Sequence, residues 1–225
     1  DREVFFTKVQ LEPYKVYIYN KEPREAEVLF DTNLDEKEAL IAPKGFPWTN
    51  MRLDVNGDLM RKNQHFTIQQ MGYLPVSGQL QTLKKRHGDR FLQRFSVSRK
   101  VYTVDGRSCY RLEYHNPDFG FRPYTVQPGE TVRHLADKFG LHPWVIRQQN
   151  DLDETDEPDA GDKLQLPDDF AQKMYFYVER NSKLPLKLQI WDHHGLLGSY
   201  TFKDLKINPG FTPADFSPEN EEYGF

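Results

Sequence analysis

Alternation of apolar and polar side chains runs through most of the chain, and two stretches replace it with a helical period. In residues 14–19, YKVYIY, Tyr14, Val16 and Ile18 point one way while Lys15, Tyr17 and Tyr19 point the other, because successive side chains of a strand leave opposite faces. Neither set is purely polar, so this strand is expected to be partly covered on both sides. Residues 4–10, 25–32 and 38–43 continue the pattern, separated by the Glu12-Pro13 break and a polar turn over 31–37. Residues 52–55 then meet Asn56-Gly57, a tight-turn signal because both residues accept positive φ. A further extended piece is predicted up to Ile68. The loop Gly45-Phe46-Pro47-Trp48 reads as an aromatic plug at one end of the sheet.

The first helical stretch follows. Ser77 is placed to cap a helix carrying Leu80 and Leu83, with Lys84, Lys85 and Arg86 in its last turn and Gly88 as the stop. Basic residues there suit the negative end of the helix dipole. Residues 91–104 and 108–115 read as a hairpin around Asp105-Gly106, with Tyr110, Leu112 and Tyr114 on one face and Cys109, Arg111 and Glu113 on the polar one. Residues 174–179, 186–191 and 199–207 predict three more strands, turned at Asn181-Ser182-Lys183 and Asp192-His193-His194-Gly195. The tail is rich in Pro, Gly and acid, but its ending Tyr223-Gly224-Phe225 is expected to pin it. About eight or nine antiparallel strands with one main helix make an α+β host.

The second helical stretch lies inside a self-contained unit, residues 124–167. Tyr124-Thr125-Val126 reads as a strand, Pro128-Gly129 as a turn and Thr131 as a helix cap. Val132, Leu135, Ala136 and Phe139 recur at i, i+3, i+4 and i+7, one apolar stripe, and Gly140 closes the helix. His142-Pro143 opens a second helix through Gln149, since Pro is comfortable in a first turn. Lys163-Leu164-Gln165-Leu166 supplies a closing strand. The strands flanking this unit would be hairpin neighbours without it, which is how a domain inserts at a loop tip.

Composition narrows the classes of function. The 225 residues suit one large domain or two smaller ones, and 14% aromatic residues fit a core built on Phe and Tyr. A formal charge of −4, a pI near 6.0 and no basic run longer than Lys84-Lys85-Arg86 argue against nucleic acid as a partner. The single cysteine, Cys109, excludes an intrachain disulfide. No apolar stretch approaches the roughly 18 residues that span a bilayer, so no transmembrane segment is expected. The start at Asp1-Arg2-Glu3 runs straight into a strand with no initiating Met, which suggests that a segment upstream, such as a signal peptide, has been removed. Hydrolase, zinc-protease, phosphate-loop and dinucleotide motifs are all missing. Asp192, His193 and His194 read as a solvated turn rather than metal ligands, and His65, His87, His115, His134 and His142 are scattered. No catalytic residue, metal or cofactor is expected.

The opening YTVQPGET, the core Ala136 with Phe139-Gly140, Asn150, and the closing Gly161-Asp162-Lys163-Leu164 with Pro167 fall in order, and residues 124–167 resemble a LysM domain. The resemblance implies a βααβ fold that binds N-acetylglucosamine-containing polymers, peptidoglycan and chitin, in a shallow groove between two loops. It places that groove at Gly129, Glu130, Thr131 and Val132 on one side and at Asn150, Asp151 and Leu152 on the other. Backbone amides near a helix start suit acetamido and hydroxyl oxygens. Arg133 departs from the family, which often has an aromatic or small residue there. Asp151, Asp153, Glu154, Asp156, Glu157 and Asp159 set six acids beside the groove, which disfavours an anionic glycan within a Debye length of about 8 Å. Trp144 reads as packing on the host sheet rather than stacking on a sugar.

The flanking segments, especially KVQLEPYKVYIYN, MRLDVNGDLMRKNQHFTI and LPLKLQIWDHHGLLGSYTFKDLKINPGFTPADF, are similar in pattern to uncharacterised bacterial envelope proteins related to LolA-type lipoprotein carriers. That resemblance implies a curved antiparallel half-barrel host over residues 1–121 and 172–225, located in the periplasm or cell envelope. The expected function is a non-catalytic envelope binding protein whose module takes peptidoglycan or a related glycan. The alternative is a lipid or lipoprotein carrier using the concave sheet, with the module as lid or docking element. The mixed Tyr and Lys face of YKVYIY leans toward binding.

Overall fold

The computed structural model describes residues 3–21, 25–45, 49–61 and 67–225; the Phe46-Pro47-Trp48 plug, His65 and residues 62–66 of the extended piece expected before Ile68 lie outside them. The described chain is α+β, with two five-stranded antiparallel sheets and one two-stranded sheet. It divides into two compact units, Asp1–Ser77 with Ile207–Phe225, and Gly78–Lys206. Among the described residues no helix is long and apolar enough to cross a membrane.

In the first unit β1 (Phe5–Leu11), β2 (Tyr14–Asn20), β3 (Ala26–Asp31), β4 (Glu38–Pro43) and β5 (Met51–Asp54) form a meander in sequence order. The register sets Val16 opposite Phe30 and Tyr17 opposite Leu29, so neighbouring residues of YKVYIY feed different cores. Val16, Phe30, Ala39 and Ile41 are buried with Val55 and Ile68 on one face, and Tyr17 and Leu29 with Phe216 on the other. The tail makes this second core. Tyr223 stacks on Tyr17 with centroids 3.9 Å apart and planes 7° apart, and Phe211 and Phe225 pack beside them. Buried Glu27 accepts from the Tyr17 hydroxyl at 3.1 Å, the Lys44 ammonium at 2.6 Å and the Gly224 N–H at 3.0 Å. Both faces of the sheet are packed by side chains of the same unit, and the aromatic ending does pin the tail.

Asn56-Gly57 does not return the chain as a strand. β5 passes through it into the short helix α1 (Asp58–Arg61), because the Asp54 carboxylate accepts the Asn56 N–H at 2.8 Å and its carbonyl the Gly57 N–H at 2.9 Å. An aspartate that captures the backbone two residues on favours a compact turn over a ladder.

The second unit contains the residues of α2 (Leu74–His87) from Gly78 onward, then β6 (Phe95–Val104) and β7 (Arg107–His115). The chain next forms β8 (Phe121–Thr125), α3 (Val132–Phe139), α4 (Pro143–Gln149) and β9 (Lys163–Pro167), and returns through β10 (Lys173–Glu179), β11 (Pro185–Trp191) and β12 (Leu196–Thr201). The large sheet runs β12-β11-β10-β7-β6, and β8 and β9 form the two-stranded sheet. His115 of β7 faces Lys173 of β10, and the Asn116 N–H donates to the Gln172 carbonyl at 2.9 Å. The chain therefore leaves and re-enters this sheet at adjacent points, with the βααβ module in between.

Three local expectations need correction here. α2 starts at Leu74, so Ser77 lies within its first turn and donates its N–H to the Tyr73 carbonyl at 3.0 Å; Pro75 suits this start, because its missing N–H would be unpaired there anyway. β6 starts at Phe95 rather than residue 91, after two short 3-10 turns. Cys109, assigned by alternation to a polar face, is wholly buried with Val104, Tyr177 and Leu186, and Tyr102, Tyr175 and Leu205 pack against this cluster. Large rings flanking Arg111 seal a face whose own strand reads as polar.

Candidate functional site

The module is built on one small core. Val126, Val132, Leu135, Ala136, Leu141, Ile146, Leu164 and Leu166 are buried together, each large side chain contributing about 1.5–3 kcal/mol relative to exposure. Both helices end in the same motif. Leu141 N–H reaches the Ala136 carbonyl at 2.8 Å and Leu152 N–H the Arg147 carbonyl at 3.0 Å, with Gly140 (φ +58°) and Asp151 (φ +53°) in the left-handed position between. These closures aim the two loops of the module.

The first loop is a turn over residues 127–130, the Glu130 N–H donating to the Gln127 carbonyl at 3.1 Å. Gly129 takes the positive φ, +78°, that the third position of such a turn requires. The Glu130 carboxylate sits under the turn, accepting from Lys138 Nζ at 2.8 Å, the Gln127 N–H at 3.0 Å and the Tyr124 hydroxyl at 2.8 Å. The Lys138 bond first, then the Gln127 amide, hold its carboxyl at about 2 against an ordinary 4.5. Thr131 caps α3, its hydroxyl accepting the His134 N–H at 3.1 Å. Val132 is completely buried. Gly129 is exposed, with no heavy atom within 4 Å of where a Cβ would stand.

The second loop is organised by two polar residues of unlike visibility. Asn150 closes α4 and binds β9: its Nδ2 donates to the Ile146 carbonyl at 2.7 Å and the Gln165 carbonyl at 3.0 Å, while its Oδ1 accepts the Gln165 N–H at 2.7 Å. Its whole amide is committed to backbone. Asp151 is exposed at the turn, and Leu152 packs against the module core. Arg147, 2% exposed, is the hub of the acidic stretch. Its Nη1 donates to the carbonyls of Asp153, at 2.8 Å, and Asp156, and its Nη2 pairs with Glu157 Oε1 at 2.7 Å.

Glu157 joins the two loops. Its Oε2 accepts the Val132 N–H at 2.6 Å, occupying the first free amide of α3, where a helix leaves donors unsatisfied. The structure thus brings Thr131–Val132 and the Asn150–Leu152 turn to opposite sides of one bridge. Sequence reasoning counted Glu157 only as one of six charges. The better signal was Arg147, which follows Val145 and Ile146 in a buried run and so demands a carboxylate partner. Asp156 is also engaged, its Oδ2 accepting the Asp153 N–H at 3.0 Å. Arg133 pairs along its own helix with Asp137, 3.6 Å away.

The rest of the second unit holds the module. Arg86 of α2 donates to the carbonyls of Phe139 and Gly140 at the end of α3, and pairs with Asp169 at 2.8 Å. Asp169 is fully buried and also accepts from His87 at 2.9 Å, Asn116 at 2.8 Å and the Tyr114 hydroxyl. Burial first, then the Asp169 carboxylate, push the Tyr114 hydroxyl far above its usual value. The basic end of α2 therefore serves the dipole of α3, as cations at a helix C-terminus do. With the Gln148 amide oriented to satisfy both neighbours, its oxygen accepts from Trp144 Nε1 at 3.0 Å and its nitrogen donates to Asp192 Oδ2 at 3.0 Å. Trp144 is thereby tied to the β11–β12 turn. That turn is shaped by Asp192, whose Oδ1 accepts the His194 and Gly195 N–H groups at 2.8 and 3.0 Å.

Residues 124–167 match the family model of the LysM domain, a match that suggests binding of N-acetylglucosamine-containing glycans such as peptidoglycan. A search of curated proteins finds no match to the chain.

Proposed function

We propose that the protein is a non-catalytic binding protein of the bacterial cell envelope, attached to peptidoglycan or a related N-acetylglucosamine polymer through the groove between residues 129–132 and 150–152. The observation that carries this reading is the Glu157 bridge that ties Val132 at the start of the first helix to Arg147 at the end of the second, with Gly129 and Asp151 exposed in the two loops. The Val132 amide is spent on Glu157, so the sugar is met by the exposed groups that flank this bridge. Gly129 and Asp151 contribute backbone edges, and Thr131 its hydroxyl. Glu130 and Asn150 act by holding the walls, since their polar atoms are spent on the turn and on β9.

Titration of the full chain with chitotetraose, followed by backbone amide resonances, tests this. Shifts concentrated at residues 129–132 and 150–153, together with co-sedimentation on purified peptidoglycan or chitin, are the expected result. Unmoved resonances and no pelleting with either polymer would overturn it.

A further inference from the structure

We propose that the face of the sheet β12-β11-β10-β7-β6 that carries Arg111, Lys173 and Lys187 is a second binding surface, for the carboxylate groups of an acidic glycan. Aromatic rings and cations alternate across it. Arg111 lies 4.6 Å from the Tyr102 ring centroid and 4.3 Å from that of Tyr175. Lys173 lies 5.4 Å from Tyr175 and 4.6 Å from Trp191, and Lys187 lies 5.4 Å from Tyr177. The row Tyr102, Arg111, Tyr175, Lys173, Trp191 crosses four adjacent strands, because the register sets Tyr177 opposite Arg111 and Lys173 opposite Trp191.

The charges on this face are unbalanced. Arg111 donates twice to Glu113 Oε1, at 2.9 and 2.8 Å, and is satisfied. Lys173 and Lys187 make no ion pair among the described residues, and rings hold both ammonium groups in place, which lowers the ordering cost of meeting an anion. Beside Lys173 and Trp191 opens a cavity of about 310 Å³ whose wall includes His115, His193 and Asp192, at the small end of the ~300–1,000 Å³ of ligand sites. Asp192 is also the residue that Gln148 of α4 reaches. The cavity therefore adjoins the helix whose end, Asn150–Leu152, forms the second wall of the module groove.

An acidic glycan fits this surface better than a nucleic acid does. The chain carries a net charge of −4, and the groove is surrounded by the acids of residues 151–159, so the cations a carboxylate needs stand on the sheet. The choice of ligand, though not the existence of the site, rests on the glycan reading above. The face then takes the carboxylates of a strand whose N-acetylated sugar lies in the groove.

The test uses the full chain and the double variant Lys173→Gln with Lys187→Gln, whose fold is checked by melting temperature. Two probes are titrated, neutral chitotetraose and a disaccharide-tetrapeptide muropeptide. Two half-buried charge contacts predict muropeptide binding weaker by about five- to tenfold at low salt, converging with wild type at high salt, and chitotetraose binding unchanged. Muropeptide affinity unaltered at low salt, or an equal loss with both probes, overturns the proposal. Single-stranded poly(dT) binding that the variant abolishes would assign the face to nucleic acid and also overturn it. Muropeptide binding weakened by the variant, with no chitotetraose binding at all, would sink the groove and leave the sheet site standing.

Discussion

Glu157 Oε2 accepts the Val132 N–H at 2.6 Å while its other oxygen holds Arg147 at 2.7 Å, so one carboxylate closes the module across its two loops. Glu157→Gln keeps an acceptor for Val132 and loses the charge facing Arg147. We expect it to lower stability by about 1–3 kcal/mol, the range for a hydrogen bond to a charged group, and Glu157→Ala to lower it by about 1 kcal/mol more. Urea denaturation of the three proteins measures both steps. Equal stability of all three would show the bridge to be absent in solution.

Asn150 makes three hydrogen bonds to backbone, and its replacement should register as stability rather than as selective loss of affinity. Asn150→Ala is expected to cost about 2–3 kcal/mol, since it leaves β9 and α4 groups without partners. The check is a thermal melt alongside the chitotetraose titration. Loss of binding with an unchanged melt would make Asn150 a direct ligand instead.

Gly140 and Thr82 are in van der Waals conflict the moment a side chain is added: a Cβ at Gly140 collides with Thr82 Cγ2, and the backbone there has φ +58°. Gly140→Ala should destabilise the second unit by about 2–4 kcal/mol, and adding Thr82→Ala should return the steric part, leaving about 1 kcal/mol for the left-handed backbone. Additive effects in a double-mutant cycle would contradict the contact between α2 and α3.

Acid should weaken the fold in a defined window. The carboxyls of Glu130, Glu179 and Asp215 are held at about 2, below their ordinary 4.5, 4.5 and 3.8. For Glu130 the Lys138 bond is the main cause, for Glu179 the Ser182 bonds, and for Asp215 the Lys8 bond. Because the folded values lie below the unfolded ones, their stabilisation is complete above about pH 4.5 and is lost as pH falls toward 2. Melting temperatures from pH 6 to pH 2 should fall across that interval, and Glu130→Gln should fall less steeply. A flat profile would contradict the observed pairing.

The tail is a structural part of the first unit, with Tyr223 stacked on Tyr17 and its hydroxyl donating to the Asp215 carbonyl at 2.7 Å. Tyr223→Ala should cost about 2–3 kcal/mol from lost burial and ring stacking. Hydrogen exchange at residues 14–31 reads the effect, and faster exchange of β2 and β3 amides is the expected result.

The module was legible because its code is local. A 3.6-residue stripe from Val132 to Phe139, Gly140 after it and Pro143 at the next helix start are each read within one or two turns, and the strands follow from alternation in the same way. The burial of both sides of YKVYIY was legible too, since neither of its faces is purely polar, but not that the last residues of the chain supply the second layer. The partners of Arg147, the burial of Cys109 and the role of Pro75 were hidden for one physical reason. A carboxylate, a ring or a carbonyl becomes a partner only when loop closure and strand register bring it within reach, and six acids between Asp151 and Asp159 give no means of choosing among them. Sequence alone thus determined the extent of the module, its two helices and its closing strand. Only the tertiary structure decided that Glu157 bridges the two loops, that Asn150 and Glu130 are spent on backbone and neighbouring side chains, and that a row of rings and cations lies on the sheet to which α4 is tied through Gln148 and Asp192.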